Sequence, residues 1–160
     1  MPNQSNYWNQ RVGYQSSYNN RPAQQYNTPQ PVEIKPLPVP ADYVDAAEKV
    51  MTQHMQGSPR DRITTTKLRG FLALIDEIYN VENLRTEEKL LAESKLKIMR
   101  LRVRVLYDAG REPVVKKFVE QAKLLSYLKG IGDSREAAIN LAHYMEALVA
   151  YHRYLGGKEN

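Results

Sequence analysis

The sequence predicts an all-α fold: a compact five-helix bundle over residues 41–157, preceded by a disordered tail over residues 1–40 and followed by a short C-terminal tail, 158–160. Three observations predict it. Apolar residues recur at spacings of three and four throughout 41–157, the period of a helix with one buried face. Glycine and proline fall at the joints between these stretches. Composition changes at about residue 40: seven of the nine prolines, the one tryptophan and four tyrosines set among Asn, Gln and Ser precede it, and nearly all the Leu, Ile, Val and Met follow.

The tail has almost no aliphatic residue over 3–30, so it cannot bury enough apolar surface to offset its ordering entropy. Pro29 to Pro40 reads as a stiff, extended linker without a strict P-x-x-P. The first helix is expected from Asp42 to Gln56, with Val44, Ala47, Met51 and Met55 facing one way and Gly57-Ser58-Pro59 ending it. The second starts at the threonine run Thr64 to Thr66, whose hydroxyls can cap the first N–H groups, and buries Leu68, Phe71, Leu72, Ile75 and Ile78. Lys67 and Arg69 in its first turn oppose the helix dipole but add to the positive potential of an end that can hold a phosphate.

The third helix is expected from Thr86 to about Ala109. Leu101 to Val105 alternates like a strand, but a helical period without turn residues surrounds it. It shows two apolar faces, one of Leu90, Leu91, Ile98, Leu101 and Val105, the other of Leu96, Met99, Val103, Leu106 and Tyr107. Lys97, Arg100 and Arg104 lie on one seam between them, Lys95 and Arg102 on the other, which suggests a central helix with cations reaching round to solvent. Arginine at such an edge suits phosphate, whose oxygens match the planar fork. Gly110 ends this helix, and Pro113 opens a fourth that runs to Lys129, burying Val115, Phe118, Val119, Ala122 and Leu125 beneath Lys116, Lys117 and Lys123. The fifth, Asp133 to Leu155, is the most apolar and is read as capped by Asp133 with Glu136; Ala138, Leu141, Met145, Leu148 and His152 form its main row.

Formal net charge is +5, and residues 1–40 carry +2 of it. An excess of this size is compatible with nucleic acid or another anionic surface. The absence of cysteine excludes disulfides and thiolate metal sites. Without an N-terminal apolar run the simple expectation is a cytoplasmic protein with no membrane span. Neither a catalytic constellation, a cofactor motif nor a metal site is found. His143 and His152 are nine residues apart, about 180° round one helix, and Asp76 and Glu77 diverge by about 100°. His152 beside Tyr151 or Arg153 reads better as a packed histidine than as a base.

Three stretches, Ile63-Thr-Thr-Thr-Lys-Leu-Arg-Gly-Phe-Leu72, Arg104-Val-Leu-Tyr-Asp-Ala-Gly-Arg111 and Ala147-Leu-Val-Ala-Tyr-His-Arg-Tyr-Leu-Gly-Gly157, together resemble the small subunit of type III-A CRISPR–Cas effectors, the Csm complex. The middle stretch departs from the family pattern, with Arg102, Val103 and Arg104 where Lys-Pro-Lys is usual, so the charges survive without the proline. The resemblance implies a helical bundle without catalytic activity. It implies partners: CRISPR RNA and target RNA, the backbone subunits, the large polymerase-like subunit and stacked copies of itself. Target cleavage and second-messenger synthesis would belong to other subunits. Lys67, Arg69, Arg104 and Arg111 match the family's basic positions. With Arg100, Lys116 and Lys117 from the same basic helices they make the candidate RNA-binding set. The alternative is a helical protein–protein adaptor whose cations merely face solvent.

Overall fold

The computed structural model describes residues 33–159, and the expectations for residues 1–32 lie outside them. Among the described residues there are six α-helices where five were expected: α1 (Tyr43–Met55), α2 (Thr65–Glu82), α3 (Ala92–Arg111), α4 (Pro113–Gln121), α5 (Leu124–Gly130) and α6 (Arg135–Tyr154). A 3-10 turn at Pro59–Asp61 links α1 to α2. No helix among them is long and apolar enough to cross a membrane.

α6 is the spine. It packs against α1, α2 and α5, while α3 packs against α2, α4 and α5. Ala138, Leu141, Met145, Leu148 and His152 are buried, as the main row predicts, and Ala142 and Tyr144 are buried beside them. Full burial of each of the larger side chains contributes about 1.5–3 kcal/mol, so this face is a substantial share of a core that α2, α3, α4 and α5 complete. Tyr144 makes an edge contact with Tyr127 at 5.3 Å, and its hydroxyl donates to Ala122 O at 3.1 Å.

That last bond marks why the expected fourth helix is two. Lys123 adopts a left-handed φ of 53°, which breaks the ladder and frees the Ala122 carbonyl for Tyr144. The break lets both halves face inward: Val115, Phe118, Val119 and Ala122 before it, Leu124, Tyr127 and Leu128 after it. α5 also receives residues 33–40. Leu37 N donates to Ser126 O at 3.0 Å and Lys129 Nζ to Ile34 O at 2.7 Å, and the Leu37 backbone crosses Gly130 where a Cβ would collide with it.

Two helix starts also differ from expectation. α3 begins at Ala92, not Thr86, because residues 88–90 run extended beside the start of α6: Leu90 N donates to Asp133 O and Arg135 N to Glu88 O, both at 2.9 Å. The fully buried Glu82 at the end of α2 holds the new start. Its carboxylate accepts from Leu91 N at 3.1 Å and Arg85 Nη1 at 2.7 Å. Burial works to raise the Glu82 pKa, but these bonds and one from Ser94 outweigh it and hold the carboxyl below its ordinary value. α6 is capped by Ser134, whose hydroxyl accepts from Ala137 N at 3.1 Å, so Asp133 and Glu136 are not the capping pair. The cap expected for α2 is present: Thr64 Oγ1 accepts from Lys67 N at 3.3 Å.

α3 is helical through Leu101 to Val105 as expected, but it is not central. Ile98, Leu101 and Val105 are buried, whereas Leu96, Met99, Val103, Leu106 and Tyr107 are exposed. α3 therefore lies at the outside of the bundle with its second apolar face outward.

Candidate nucleic-acid interface

The candidate cations are best placed by their partners. Asp108, in the C-terminal half of α3, has a side chain only 3% exposed. Arg104, one turn earlier, donates Nε to its Oδ2 at 2.9 Å. Lys67 Nζ stands 3.9 Å from its Oδ1 and 2.8 Å from Glu112 Oε1. The start of α2, the end of α3 and the link into α4 are thus tied together by two cations and two carboxylates. The Arg104–Asp108 contact follows the i,i+4 rule and is readable from the sequence. The Lys67–Glu112 contact joins two elements, and the sequence gives no local signal for it.

Arg100 and Arg111 lie near Arg104 on the same edge of α3 by the helical repeat, and both are exposed. Neither makes an ion pair among the described residues. Lys116 and Lys117 are exposed in the first half of α4. Lys117 belongs to another corner, with Nζ 3.9 Å from where a Cβ on Gly57 would sit, at the end of α1. Arg69 is on a third side. Its Nη1 lies 3.7 Å from Glu159 Oε1, which also takes Arg153 Nη1 at 2.8 Å. The structure thus brings together Lys67, Arg100, Arg104 and Arg111, and sets Arg69 and Lys117 apart from them.

The start of α2 does not present free N–H groups to a phosphate, contrary to the sequence reading. Thr65 N donates to Lys158 O at 2.9 Å, Thr66 N to Glu159 O at 3.4 Å, and Lys67 N to its own cap. Residues 156–159 reach this place because Gly157 turns against the imidazole of His152, where a Cβ would collide with the ring. The Thr65 and Thr66 hydroxyls donate to the same two carbonyls at 3.0 and 2.6 Å.

His152 is fully buried, and its Nε2 donates to Ile63 O at 2.8 Å. His54, also fully buried, accepts the Ile63 N–H on Nε2 at 2.9 Å, which places its proton on Nδ1 toward Gln121 Oε1 at 2.7 Å. Burial lowers both pKa values. Lys117, His152 and Arg62 add to the effect on His54, against its bond to Gln121; Arg153 adds to that on His152, against its bond to Ile63 O. These two rings are structural, as the reading of His152 as a packed histidine expected. His143 stacks on Tyr43 at 5.9 Å and meets Tyr79 edge-on at 5.5 Å. No group of three or more His, Asp or Glu placed to hold a metal ion occurs among the described residues. Asp76 Oδ1 is buried without a hydrogen bond among them, and burial, then Glu146, raises its pKa.

The three stretches that carry the family resemblance therefore meet at one corner. Ile63 and Thr65 touch His152, and Lys67 touches Asp108. These features define a class: a small α-helical module whose exposed chemistry is a basic edge beside this corner. Comparison with known proteins agrees. The profile of the family "Csm2 Type III-A" matches residues 39–158. The "CRISPR system Cms protein Csm2" of Mycobacterium tuberculosis (strain CDC 1551 / Oshkosh) is 41% identical over 122 residues, covering 74% of this chain and 94% of the relative. That of Streptococcus thermophilus is 37% identical over 119 residues with the same coverage, and that of Enterococcus italicus 29% identical over 94 residues, covering 58% and 67%. The chain belongs to the Csm2 family, the small subunits of the type III-A CRISPR Csm complex. The resemblance carried by the three stretches is borne out.

Proposed function

We propose that this protein is a non-catalytic, cytoplasmic subunit that lines the groove for CRISPR RNA and target RNA, stacking with copies of itself and touching the backbone and polymerase-like subunits. One observation carries the reading: Arg100, Arg104 and Arg111 share an edge of α3, and Lys67 of α2 is tied to that edge through Asp108. Such an edge holds phosphates of a guide–target duplex irrespective of sequence, while base pairing reads the sequence. Arg100 and Arg111 are the primary phosphate ligands. Lys67 and Arg104 are partly neutralised by Asp108 and Glu112 and act chiefly by keeping the edge in place. Arg69 and Lys117 stand outside it and contribute less, as does the exposed Lys116 of α4.

A subunit that neutralises about three to four phosphates shows log affinity falling against log salt with a slope near −2 to −3. One copy alone binds weakly, and stacked copies gain through effective concentration. The test is retention of target RNA by the assembled complex: Arg104→Glu with Arg111→Glu is expected to lower it and to flatten the salt dependence. Unchanged retention would sink the assignment and favour the adaptor reading, which predicts affinity indifferent to salt.

A further inference from the structure

The outward apolar face of α3 has a regular order. Leu96, Met99, Val103 and Leu106 are 53, 54, 65 and 43% exposed. Their spacing is three, four, three, and the next step falls on Gly110, where a side chain would meet open space. This is the a/d spacing of a coiled coil, sustained for about one and a half heptads and about 15 Å from Leu96 to Leu106. The flanking e and g positions hold Lys95, Arg100, Arg102 and the exposed Tyr107, with no acid. Lys95 lies 3.9 Å from Asp133, while Arg100 and Arg102 have no ion pair among the described residues. Ile98, Leu101, Val105 and Asp108 are buried on the opposite side, so α3 cannot turn its row inward.

We propose that this row docks an amphipathic helix of a different polypeptide, one whose own a/d positions are apolar and whose flanks carry Asp and Glu. Charge rules out the symmetric occupant. Pairing of α3 with α3 of a second copy sets Lys95, Arg100 and Arg102 against the same cations in either orientation, which is penalised. RNA gains little from a row of Leu, Met and Val, which offers no donor to phosphate. A basic-edged apolar face also suits an anionic bilayer, but this one is a single a/d row without Trp or Phe. The chain is moreover a subunit of a multi-protein complex. Arg100 borders both this row and the basic edge; the acidic flank of the occupant answers Lys95 and Arg102, which lie on the far side of the row from Arg104 and Arg111.

The chain has no cysteine, so Val103→Cys creates a single thiol at the most exposed position of the a/d row. The experiment attaches a benzophenone there, assembles the complex with the other Csm subunits of the same genome and CRISPR RNA, illuminates it, and maps the cross-link by mass spectrometry. The expected product joins residue 103 to a helix of another subunit with Asp or Glu within one turn of the linked residue. Met99→Glu with Val103→Glu lowers incorporation into the complex at least tenfold, with helical circular dichroism unchanged. Absence of a product, or a product with RNA or a second copy, overturns the proposal whatever the double variant does. So does flotation of the chain with phosphatidylglycerol vesicles that the double variant abolishes.

Discussion

His54 and His152 close on the two backbone polar groups of Ile63, one accepting its N–H at 2.9 Å and the other donating to its carbonyl at 2.8 Å. The segment leading into α2 is thereby held between α1 and α6 in the one place where it has no helical ladder of its own. The His54 ring must stay neutral for this, since a proton on its Nε2 would point at the Ile63 N–H; the His152 Nε2–H donates in either state, and it is burial, with Arg153, that opposes a charge on that ring.

Acid should therefore loosen the bundle. Both folded-state pKa values lie below the ordinary 6.5, so the unfolded chain binds more protons. The stabilisation is fully present above that value and is lost as pH falls from it through the folded values. The slope is at most about 1.4 kcal/mol per pH unit for each histidine. Urea unfolding at pH 7.5, 6.5 and 5.5 measures it, and His54→Gln should remove about half of the slope. A midpoint unchanged across this range would refute the two-ring account.

Gly157→Ala should be costly for a residue outside any helix. The added methyl has to displace the His152 ring or lift residues 157–159 away from α2. A cost of about 1–3 kcal/mol is expected from such overpacking. Faster amide exchange at Thr65 and Thr66 would accompany it, and calorimetry together with exchange NMR reads both.

Glu82→Gln keeps the shape of the buried side chain but removes the charge that accepts from Arg85 and Leu91 N. Charge-assisted bonds of this kind are worth about 1.5–3 kcal/mol. Urea unfolding should show a loss of about 2 kcal/mol, with early opening of the first turn of α3.

Asp108→Asn separates fold from function. It should destabilise the chain by about 1.5–3 kcal/mol by weakening the anion shared by Arg104 and Lys67. On the proposed RNA reading it should also tighten RNA binding a few-fold. The salt slope should steepen by about one unit, because a cation is released to phosphate. Filter binding across a salt series is the measurement; weaker binding at equal folding would count against the basic edge.

What the sequence shows and hides follows from the range of the interactions. The apolar rows of α2 and α6 and the Thr64 cap are local and were legible. The helical state of Leu101 to Val105 was legible because its neighbours share the helical period. The start of α3 was not, since Glu82 and the α6 end set it from elsewhere, and Lys123 breaks a helix whose period alone continues through it. The basic residues could be singled out one by one. Their pairing with Glu112 and Glu159 could not, because those partners are brought by other elements. The two apolar faces of α3 were visible, but only the packing tells which one is left outside.

The strap at residues 156–159 has a consequence for synthesis. The Thr65 hydroxyl finds its acceptor 93 residues further on, at Lys158. A nascent chain that has already emitted α1 to α5 still has an open second helix, because the acceptors for Thr65 and Thr66 lie beyond α6. The start of α2 locks only after α6 has been made.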